Sequence, residues 1–267
     1  MPTLRSRILA GETLVATFVE IPDPVSVEIC AASGVDAVCM DWEHAQISRG
    51  QIENLIRAAD VHRVPALVRV PGSQPEWIAA ALDAGAAGVI VPRVESAAQA
   101  EGVSRSSRYP PLGARGLGPG RASGYGYSMD RYVETANESI LLAVQVETAE
   151  GFANVAAITA VGGVDLIFIG PGDLASSLDA RGPEGTSILE GAIGQIIATA
   201  AGAGRKVGIF RGDPEDIGRW VARGITLFIV GADALFMGTA LKAAVAKSRA
   251  AINAKPSGGA VCADRQD

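Results

Sequence analysis

The chain has 267 residues, of which 48% are hydrophobic, and its 29 acidic residues outnumber its 23 basic ones, giving a net charge of −6. This length suffices for one large hydrophobic core. An acidic chain without a basic stripe is a poor ligand for nucleic acid or for an anionic membrane, so we expect small-molecule partners. Neither a membrane-length apolar run nor a signal-peptide pattern is evident, so we expect a cytoplasmic protein.

Short β-branched runs alternate with longer, alanine-rich stretches of helical pattern along the whole chain. Eight strands are predicted from these runs: Leu14–Val19, Asp36–Asp41, Ala66–Val70, Gly88–Val91, Ile140–Val146, Asp165–Ile169, Lys206–Phe210 and Thr226–Val230. The strands are nearly continuous apolar runs, as is typical of a parallel sheet whose faces are both covered.

Helix starts are predicted from capping patterns between the strands. Asp23–Pro24 and Asp213–Pro214 each place a capping side chain before a proline at the first helical position. Ser73 with Glu76 has the spacing of a capping box. A final helix is predicted near Asp233–Ala251.

Eight βα units in about 250 residues predict an α/β fold, the (β/α)8 TIM barrel. A doubly wound open sheet is the alternative, but the Gly-x-Gly-x-x-Gly turn expected after its first strand is missing. We expect a single barrel domain over residues 1–254 and a disordered tail over 255–267. Cys30, Cys39 and Cys262 form no C-x-x-C pair, so neither a disulfide framework nor a zinc cluster is predicted.

A glycine-rich segment, Tyr109–Met129, is the longest predicted loop. We expect it to lie over the mouth of the barrel. Two of its arginines, Arg115 and Arg121, either recognise a distal carboxylate of the substrate or remain solvated loop charges.

Two carboxylates stand where neighbouring strands end, which is where such barrels place their active sites. Glu147 follows strand five and Asp173 follows strand six, an arrangement that suits Mg²⁺ or Mn²⁺. An arginine partner for Glu147 and a helix cap by Asp173 explain the same residues equally well. Gln145 lies on the strand face of Glu147, where it either orients a water or fills the barrel.

His44 and Arg69 end strands two and three. His44 follows Asp41 and Glu43 at a position suitable for a general base, although a structural histidine is the alternative. Arg69 has the forked donors that clamp a carboxylate or stabilise an enolate oxygen. A salt bridge from Arg69 to Glu43 or Glu147 is the competing interpretation.

The chain has only four lysines, and none is placed for catalysis: Lys206, Lys242, Lys247 and Lys255. Lys206 begins strand seven, at the opposite rim, and the others lie in the last helix or the tail. A Schiff-base aldolase requires a desolvated lysine in its site. If this barrel makes or breaks carbon–carbon bonds beside a carbonyl, a metal must polarise that carbonyl.

Five segments in register resemble the HpcH/HpaI class II pyruvate aldolases, of the 4-hydroxy-2-oxoheptanedioate and 2-dehydro-3-deoxyglucarate aldolase type. They are D-W-E-H at 41–44, V-R-V-P at 68–71, VPRVESAAQA at 91–100, Q-V-E-T-A-E-G at 145–151 and F-I-G-P-G-D-L at 168–174. The resemblance implies cleavage or formation of the C3–C4 bond of 4-hydroxy-2-oxoacids through a pyruvate enolate, with Mg²⁺, Mn²⁺ or Co²⁺ as cofactor. It also implies a homo-oligomer, a trimer of dimers, in which the C-terminal helix is exchanged between subunits.

The same resemblance implies how the substrate and the metal are held. Glu147 and Asp173 match the two metal-binding carboxylates of the family, and Gln145 matches a polar residue beside the metal. The backbone N–H groups of Gly172 and Asp173 match those that bind the pyruvate carboxylate, as the start of a helix readily does.

Catalytic roles follow from the resemblance in the same way. Arg69 matches the arginine that contacts the keto oxygen and steadies the enolate. His44 matches the catalytic base, which the family pairs with an aspartate, and Asp83 stands where that aspartate would be. Trp42 replaces a small residue of many relatives, which predicts a change in the size or stacking preference of the pocket.

Two other activities use the same kind of site. One is decarboxylation of oxaloacetate, and the other is cleavage of a coenzyme A thioester, for which the chain shows no obvious cluster of basic groups. A non-catalytic barrel that binds a ketoacid is a third interpretation. The complete set of acid, base and metal groups argues against it.

Overall fold

Eight parallel strands close into a barrel in the order in which they occur along the chain, and the last strand pairs with the first. The computed structural model describes residues 2–254. The strands are β1 Leu14–Val19, β2 Ala37–Asp41, β3 Ala66–Arg69, β4 Gly88–Val91, β5 Leu141–Val146, β6 Leu166–Ile169, β7 Lys206–Arg211 and β8 Leu227–Ala232. The predicted (β/α)8 barrel is confirmed, with strand ends within two residues of those predicted.

Helices join consecutive strands, because a parallel strand must be reached by a crossover from the far end of its neighbour. The connecting helices are α2 Pro24–Ala32, α3 Arg49–Val61, α4 Pro75–Asp83, α5 Ala97–Ser107, α6 Met129–Ser139, α7 Ala149–Ala153, α8 Val155–Ala160, α9 Pro171–Ser177, α10 Gly185–Gly202 and α11 Ile217–Val221, with a 3-10 helix at Arg121–Ser123. Helix α1 Leu4–Leu9 precedes β1, and α12 Asp233–Asn253 follows β8. Within the described part of the chain, no helix has the length and apolar character that a membrane crossing requires.

Side chains of each strand alternate between the inside of the barrel and the surrounding helices. In β1, Ala16 and Phe18 belong to the apolar cluster inside the barrel, whereas Val19 belongs to the cluster under the helices. Cys39 of β2 is a fully buried member of the inner cluster. At the carboxyl ends of the strands, the inward positions become polar, and this change places the candidate site at that rim.

Two Asp-Pro pairs were predicted to begin helices, and only the first does so. The Asp23 carboxylate accepts a hydrogen bond from the Val25 N–H at 2.9 Å and caps α2. Asp213 instead accepts from the Glu215 N–H at 2.9 Å in a turn, and α11 begins only at Ile217. The second prediction is therefore wrong, because the same Asx turn closes without a helix following it.

The capping box predicted from Ser73 and Glu76 is also wrong. Gln74 precedes α4 and Pro75 is its first residue, with no side-chain cap. Because proline favours the first helical position, Glu76 becomes the second helical residue rather than the third. It is therefore out of reach of a capping box.

The glycine-rich segment Tyr109–Met129 lies at the rim opposite to the predicted one. It follows α5, which leads the chain back to the amino ends of the strands. The Arg121 guanidinium donates to the Ala84 carbonyl at 3.1 Å and to Asp60, where α4 and α3 end. The segment is therefore not a lid over the mouth in the chain that carries it, and that prediction is wrong.

The described part of the chain divides into two compact units, with the boundary between Asp233 and Ala234. The first contains the whole barrel. In the second, α12 exposes apolar side chains such as Leu235, Met237 and Leu241. Exchange of this helix between subunits stays a prediction, as does the extent of the barrel domain to residue 254. The tail predicted to be disordered, 255–267, and Cys262 lie outside the described residues.

Candidate active site

A buried ion pair between β2 and β3 forms the floor of the site. Asp41 and Arg69 are opposite each other in the strand register and both point into the barrel. Arg69 donates from Nε to Asp41 Oδ1 at 3.0 Å and from Nη2 to Oδ2 at 2.7 Å. Beneath it, the Phe18 ring centroid lies 4.3 Å from the guanidinium carbon. The bidentate pair and the ring fix the orientation of the Arg69 charge.

Glu43 and His44 rise from the end of β2 above this pair. Glu43 Oε2 is buried and accepts no hydrogen bond, although Arg69 Nε lies 3.4 Å away and His44 Nε2 3.6 Å away. Burial raises the pKa of Glu43 to about 7, against the opposing effect of Arg69. The His44 side chain is 61% exposed. His44 is therefore accessible to a substrate and has a carboxylate at its ring.

The raised pKa of Glu43 predicts a pH-dependent stability for the metal-free protein. Since the folded-state pKa of about 7 exceeds the ordinary value of 4.5, the folded protein binds this proton more tightly than the unfolded chain does. The contribution of protonated Glu43 to the free energy of unfolding is full below about pH 4.5. As the pH rises to about 7 this contribution is lost, which lowers the free energy of unfolding by about 3 kcal/mol. Denaturant titrations in EDTA should show that Glu43→Gln gains stability relative to the parent protein across this window. A constant difference would contradict the prediction.

Glu147 occupies the corresponding inward position at the end of β5. It is 3% exposed; Oε1 accepts from the Arg93 N–H at 2.9 Å, and Oε2 accepts from the Gln145 amide. The other end of that amide, Gln145 Oε1, is buried without a partner. Burial raises the pKa of Glu147, and the charges of Glu43 and Asp173 raise it further. This carboxylate is therefore placed where a nearby cation would stabilise its charge.

Gly170, at the end of β6, makes room for these two side chains. A Cβ atom built on Gly170 would lie 2.6 Å from Glu147 Oε2 and 3.0 Å from Gln145 Nε2. Any larger residue would therefore displace the carboxylate. Asp173 follows in the first turn of α9, with its side chain exposed. The sequence Gly-Pro-Gly-Asp thus brings a second carboxylate towards the first without filling the space at Glu147.

The start of α9 presents free backbone donors at the same rim. The first hydrogen bond of the helix runs from the Leu174 N–H to the Gly170 carbonyl at 3.0 Å, so the N–H groups of Gly172 and Asp173 precede it. Such groups have no partner within the helix and suit an anion. No atom lies within 4 Å of a Cβ built on Gly172, so the space beside it is open.

The oxygen groups at this rim fit a hard divalent cation. The charge of Asp173 raises the pKa of Glu147, and the orphaned Gln145 oxygen adds a neutral acceptor. Residues 2–254 contain no cluster of three His, Cys, Asp or Glu side chains suited to a metal. Mg²⁺ and similar ions are commonly held by one or two carboxylates with water and substrate completing the ligands, so two suffice here.

Arg93, which the sequence did not single out, shapes the Glu147 site through its backbone. Its φ of +52° lies in the left-handed region, which a non-glycine residue rarely adopts. This conformation turns the Arg93 N–H towards Glu147 Oε1. Strained backbone of this kind occurs where surrounding contacts enforce it, often at functional sites. The Pro92-Arg93 pair after β4 was visible in the sequence, but its backbone angle was not.

Asp83 lies apart from the other predicted site residues. It ends α4 at the amino-end rim, where its Oδ1 accepts from Arg115 Nη2 at 2.7 Å. Arg115 is itself buried, donates to the Tyr132 hydroxyl at 3.1 Å and stacks on Tyr109 at 4.7 Å. Arg115 is thus a structural ion-pair partner, neither a solvated charge nor a group at the mouth of its own barrel. Pairing of Asp83 with His44 stays a prediction.

Trp42 was expected to change the size or stacking preference of the pocket. Its side chain does not point into the barrel, so it does not narrow the pocket there. It alternates outwards from Asp41 and is 7% exposed. Its ring meets that of Trp77 edge-on, with centroids 5.1 Å apart, in the cluster between strands and helices. Its large side chain therefore packs β2 against α4.

Comparison with known proteins agrees with this description of the barrel. The model of the HpcH/HpaI aldolase/citrate lyase family matches residues 14–238. A hydroxypyruvate/pyruvate aldolase from Pseudomonas aeruginosa is 36% identical over 231 residues, 86% of each chain. A 4-hydroxy-2-oxovalerate aldolase from Novosphingobium aromaticivorans is 34% identical over 234 residues, 85% of this chain and 89% of the relative. The crystal structure of an HpcH/HpaI aldolase/citrate lyase family protein from Burkholderia cenocepacia J2315 has a TM-score of 0.86 and 34% identity, covering 92% of this chain and 98% of that one.

Proposed function

Because this chain belongs to the HpcH/HpaI aldolase/citrate lyase family, it is a carbon–carbon lyase, and we propose that it is a metal-dependent aldolase acting on 4-hydroxy-2-oxoacids. It cleaves or forms the C3–C4 bond through a pyruvate enolate. The observation that carries the proposal is the placement of one fixed guanidinium, Arg69, and two carboxylates, Glu147 and Asp173, at the same rim. The aldolase names of the relatives support the same chemistry.

Glu147 and Asp173 hold the metal in this proposal, with Gln145 positioning Glu147. A bound Mg²⁺, Mn²⁺ or Co²⁺ would supply Lewis-acid polarisation of the keto oxygen of the substrate. The donor set consists of oxygens, which favours these ions over softer ones. Burial raises the pKa of Glu147 and so disfavours its charged form, which a cation bound at this position would stabilise.

The chain's own groups bind and orient the 2-oxoacid. The N–H groups of Gly172 and Asp173 donate to its carboxylate, which fixes one end of the molecule. Arg69 donates to the keto oxygen, where negative charge grows as the enolate forms. A charge that is already oriented by Asp41 needs no reorganisation at that moment, which is why such groups accelerate reactions strongly.

His44 moves the proton in the cleavage direction. Neutral His44 takes the proton of the 4-hydroxyl group, the C3–C4 bond breaks, and the aldehyde leaves. The electron pair of that bond becomes the enolate, and protonation at C3 releases pyruvate. Because Asp83 lies at the opposite rim of its own barrel, its predicted pairing with His44 requires Asp83 from another copy of the chain. We therefore include the homo-oligomer, a trimer of dimers, in the proposal.

Metal-dependent release of pyruvate tests the proposal. The protein is incubated with a series of 4-hydroxy-2-oxoacids and with oxaloacetate, in Mg²⁺, in Mn²⁺ or in EDTA, and pyruvate is measured. We expect release from at least one hydroxy acid that EDTA abolishes. Release from oxaloacetate alone would favour the decarboxylase instead. No metal-dependent release from any hydroxy acid would sink the aldolase proposal.

Replacing His44 by alanine separates the base from the metal site. We expect turnover of the hydroxy acid to fall by about 10²- to 10⁴-fold, since a general base is lost. Mn²⁺ affinity, measured by calorimetry, should remain close to that of the parent protein. Loss of Mn²⁺ binding would make His44 a ligand instead. His62→Ala, at the exposed end of α3, is the matched control and should leave both quantities unchanged.

A further inference from the structure

Glu20 is a carboxylate at the active-site rim that the proposed mechanism does not use. It directly follows β1, whose alternation directs Ala16 and Phe18 inwards and so continues inwards at Glu20. Val19 pairs with Met40, which places Glu20 level with Asp41 on the neighbouring strand. Its backbone N–H donates to Asp233 Oδ1 at 2.8 Å, which fixes the main chain there.

The Glu20 side chain is half-buried among the charges of the site. Burial raises its pKa, Asp41 and Asp233 raise it further, and Arg69 and His44 oppose the shift. Within residues 2–254, the carboxylate itself has no hydrogen-bond or ion-pair partner. A carboxylate close to His44 and free of partners is available to a substrate.

The position of His44 indicates which part of a substrate Glu20 would meet. In the proposed function, His44 acts on the hydroxyl of C4, and C4 comes from the aldehyde. The pyruvate half is bound on the other side, by Arg69 and the start of α9. Substituents of the aldehyde therefore extend past His44, and Glu20 lies on the β1 side of that residue.

We propose that Glu20 determines specificity for the aldehyde, favouring neutral hydroxylated aldehydes and disfavouring aldehydes that carry a carboxylate. The Glu20 carboxylate accepts a hydrogen bond from the hydroxyl group of the former and repels the charge of the latter. This inference rests on the proposed function. Like charges at short range in a partly buried site discriminate strongly, so one carboxylate suffices.

The arginines at this rim offset the Glu20 charge only in part, through Arg69. Arg69 is held by Asp41. Arg211, at the end of β7, donates to both oxygens of Asp216, at 3.0 and 2.5 Å. Arg93 follows β4, which is three strands away from β1 in the barrel. The β1 side of the mouth is therefore acidic.

Two aldehydes of nearly equal size, glycolaldehyde and glyoxylate, test the inference. Each is added to pyruvate by the metal-loaded enzyme at pH 8, and kcat/KM is measured for both. Glu20→Gln should raise the ratio of glyoxylate to glycolaldehyde by about tenfold, since it removes one like charge. Glu20→Ala, which also removes the hydrogen-bond acceptor, should raise the ratio too and keeps the test open if the glutamine variant fails to fold.

A matched control and two contrary outcomes complete the test. Glu28→Gln removes the same charge from an exposed position of α2 and should leave the ratio unchanged. An unchanged ratio in both Glu20 variants would overturn the inference. Equal losses with both aldehydes would overturn it as well, because Glu20 would then act through His44. If the parent enzyme adds pyruvate to neither aldehyde nor cleaves any hydroxy acid, it is the proposed function that fails.

Discussion

Glu147→Ala is expected to abolish metal binding and turnover together. The variant keeps one proposed carboxylate ligand, Asp173, and leaves the Arg93 N–H and the Gln145 amide without their shared acceptor. We expect turnover to fall by at least about a thousandfold, since the Lewis acid is lost along with the group that orients it. Pyruvate release in saturating Mn²⁺ and calorimetric titration with Mn²⁺ measure the two effects.

Thermal unfolding with and without Mn²⁺ distinguishes a metal ligand from a structural carboxylate at Glu147. A ligand that binds only the folded state stabilises it, so Mn²⁺ should raise the Tm of the parent protein and not that of the variant. Without metal, we expect Glu147→Ala to lower the Tm modestly, because the Arg93 N–H and the Gln145 amide lose their acceptor. Glu101→Ala, on the exposed face of α5, is the control. An undiminished Mn²⁺ shift in Glu147→Ala would contradict its role as a ligand.

Arg69→Lys is expected to lower kcat by about 10²- to 10³-fold with a smaller effect on KM. Lysine keeps the positive charge that Asp41 requires, so the variant should fold. Arg69 binds both Asp41 oxygens through its forked guanidinium and still has donors left for the substrate. Lysine has no such fork and cannot do both. Steady-state kinetics with the hydroxy acid measures the split between kcat and KM.

Arg108→Lys is the matched control for that substitution. Arg108 forms a comparably buried ion pair with Asp165, at 2.8 Å, at the amino-end rim. Its replacement should lower the Tm and leave kcat of the folded enzyme unchanged. Equal effects of both substitutions on kcat would mean that Arg69 acts only through folding.

Most residues of the candidate site could be predicted from the sequence, because they follow strands whose carboxyl ends meet at one rim of the barrel. That rule alone selected His44, Arg69, Glu147 and Asp173, and family resemblance gave each a role. Asp41 was within reach of the same reasoning. It ends a strand beside Arg69, and counting inward positions would have identified it as the partner of that arginine.

Other features depend on contacts that a sequence does not display. The segment Tyr109–Met129 was predicted at the mouth because it is long and glycine-rich, yet Arg121 holds it to Asp60 at the opposite rim. The left-handed backbone of Arg93 and the space that Gly170 leaves for Glu147 arise from packing between strands. Pairing of Asp83 with His44 involves a second chain in our proposal, so one sequence cannot position it.

Exchange of the methyl protons of pyruvate with deuterated water, followed by proton NMR, tests most directly whether this rim stabilises a pyruvate enolate. The reaction needs no aldehyde, so it does not depend on the identity of the second substrate. We predict exchange in Mn²⁺, its loss in EDTA and its recovery when Mn²⁺ is restored. Exchange by Arg69→Lys in Mn²⁺ should be slower by about 10²- to 10³-fold, and Glu147→Ala should be inactive under all three conditions. Exchange that persists in EDTA, or that survives the loss of Glu147, would contradict the assignment of the metal-dependent site to these residues.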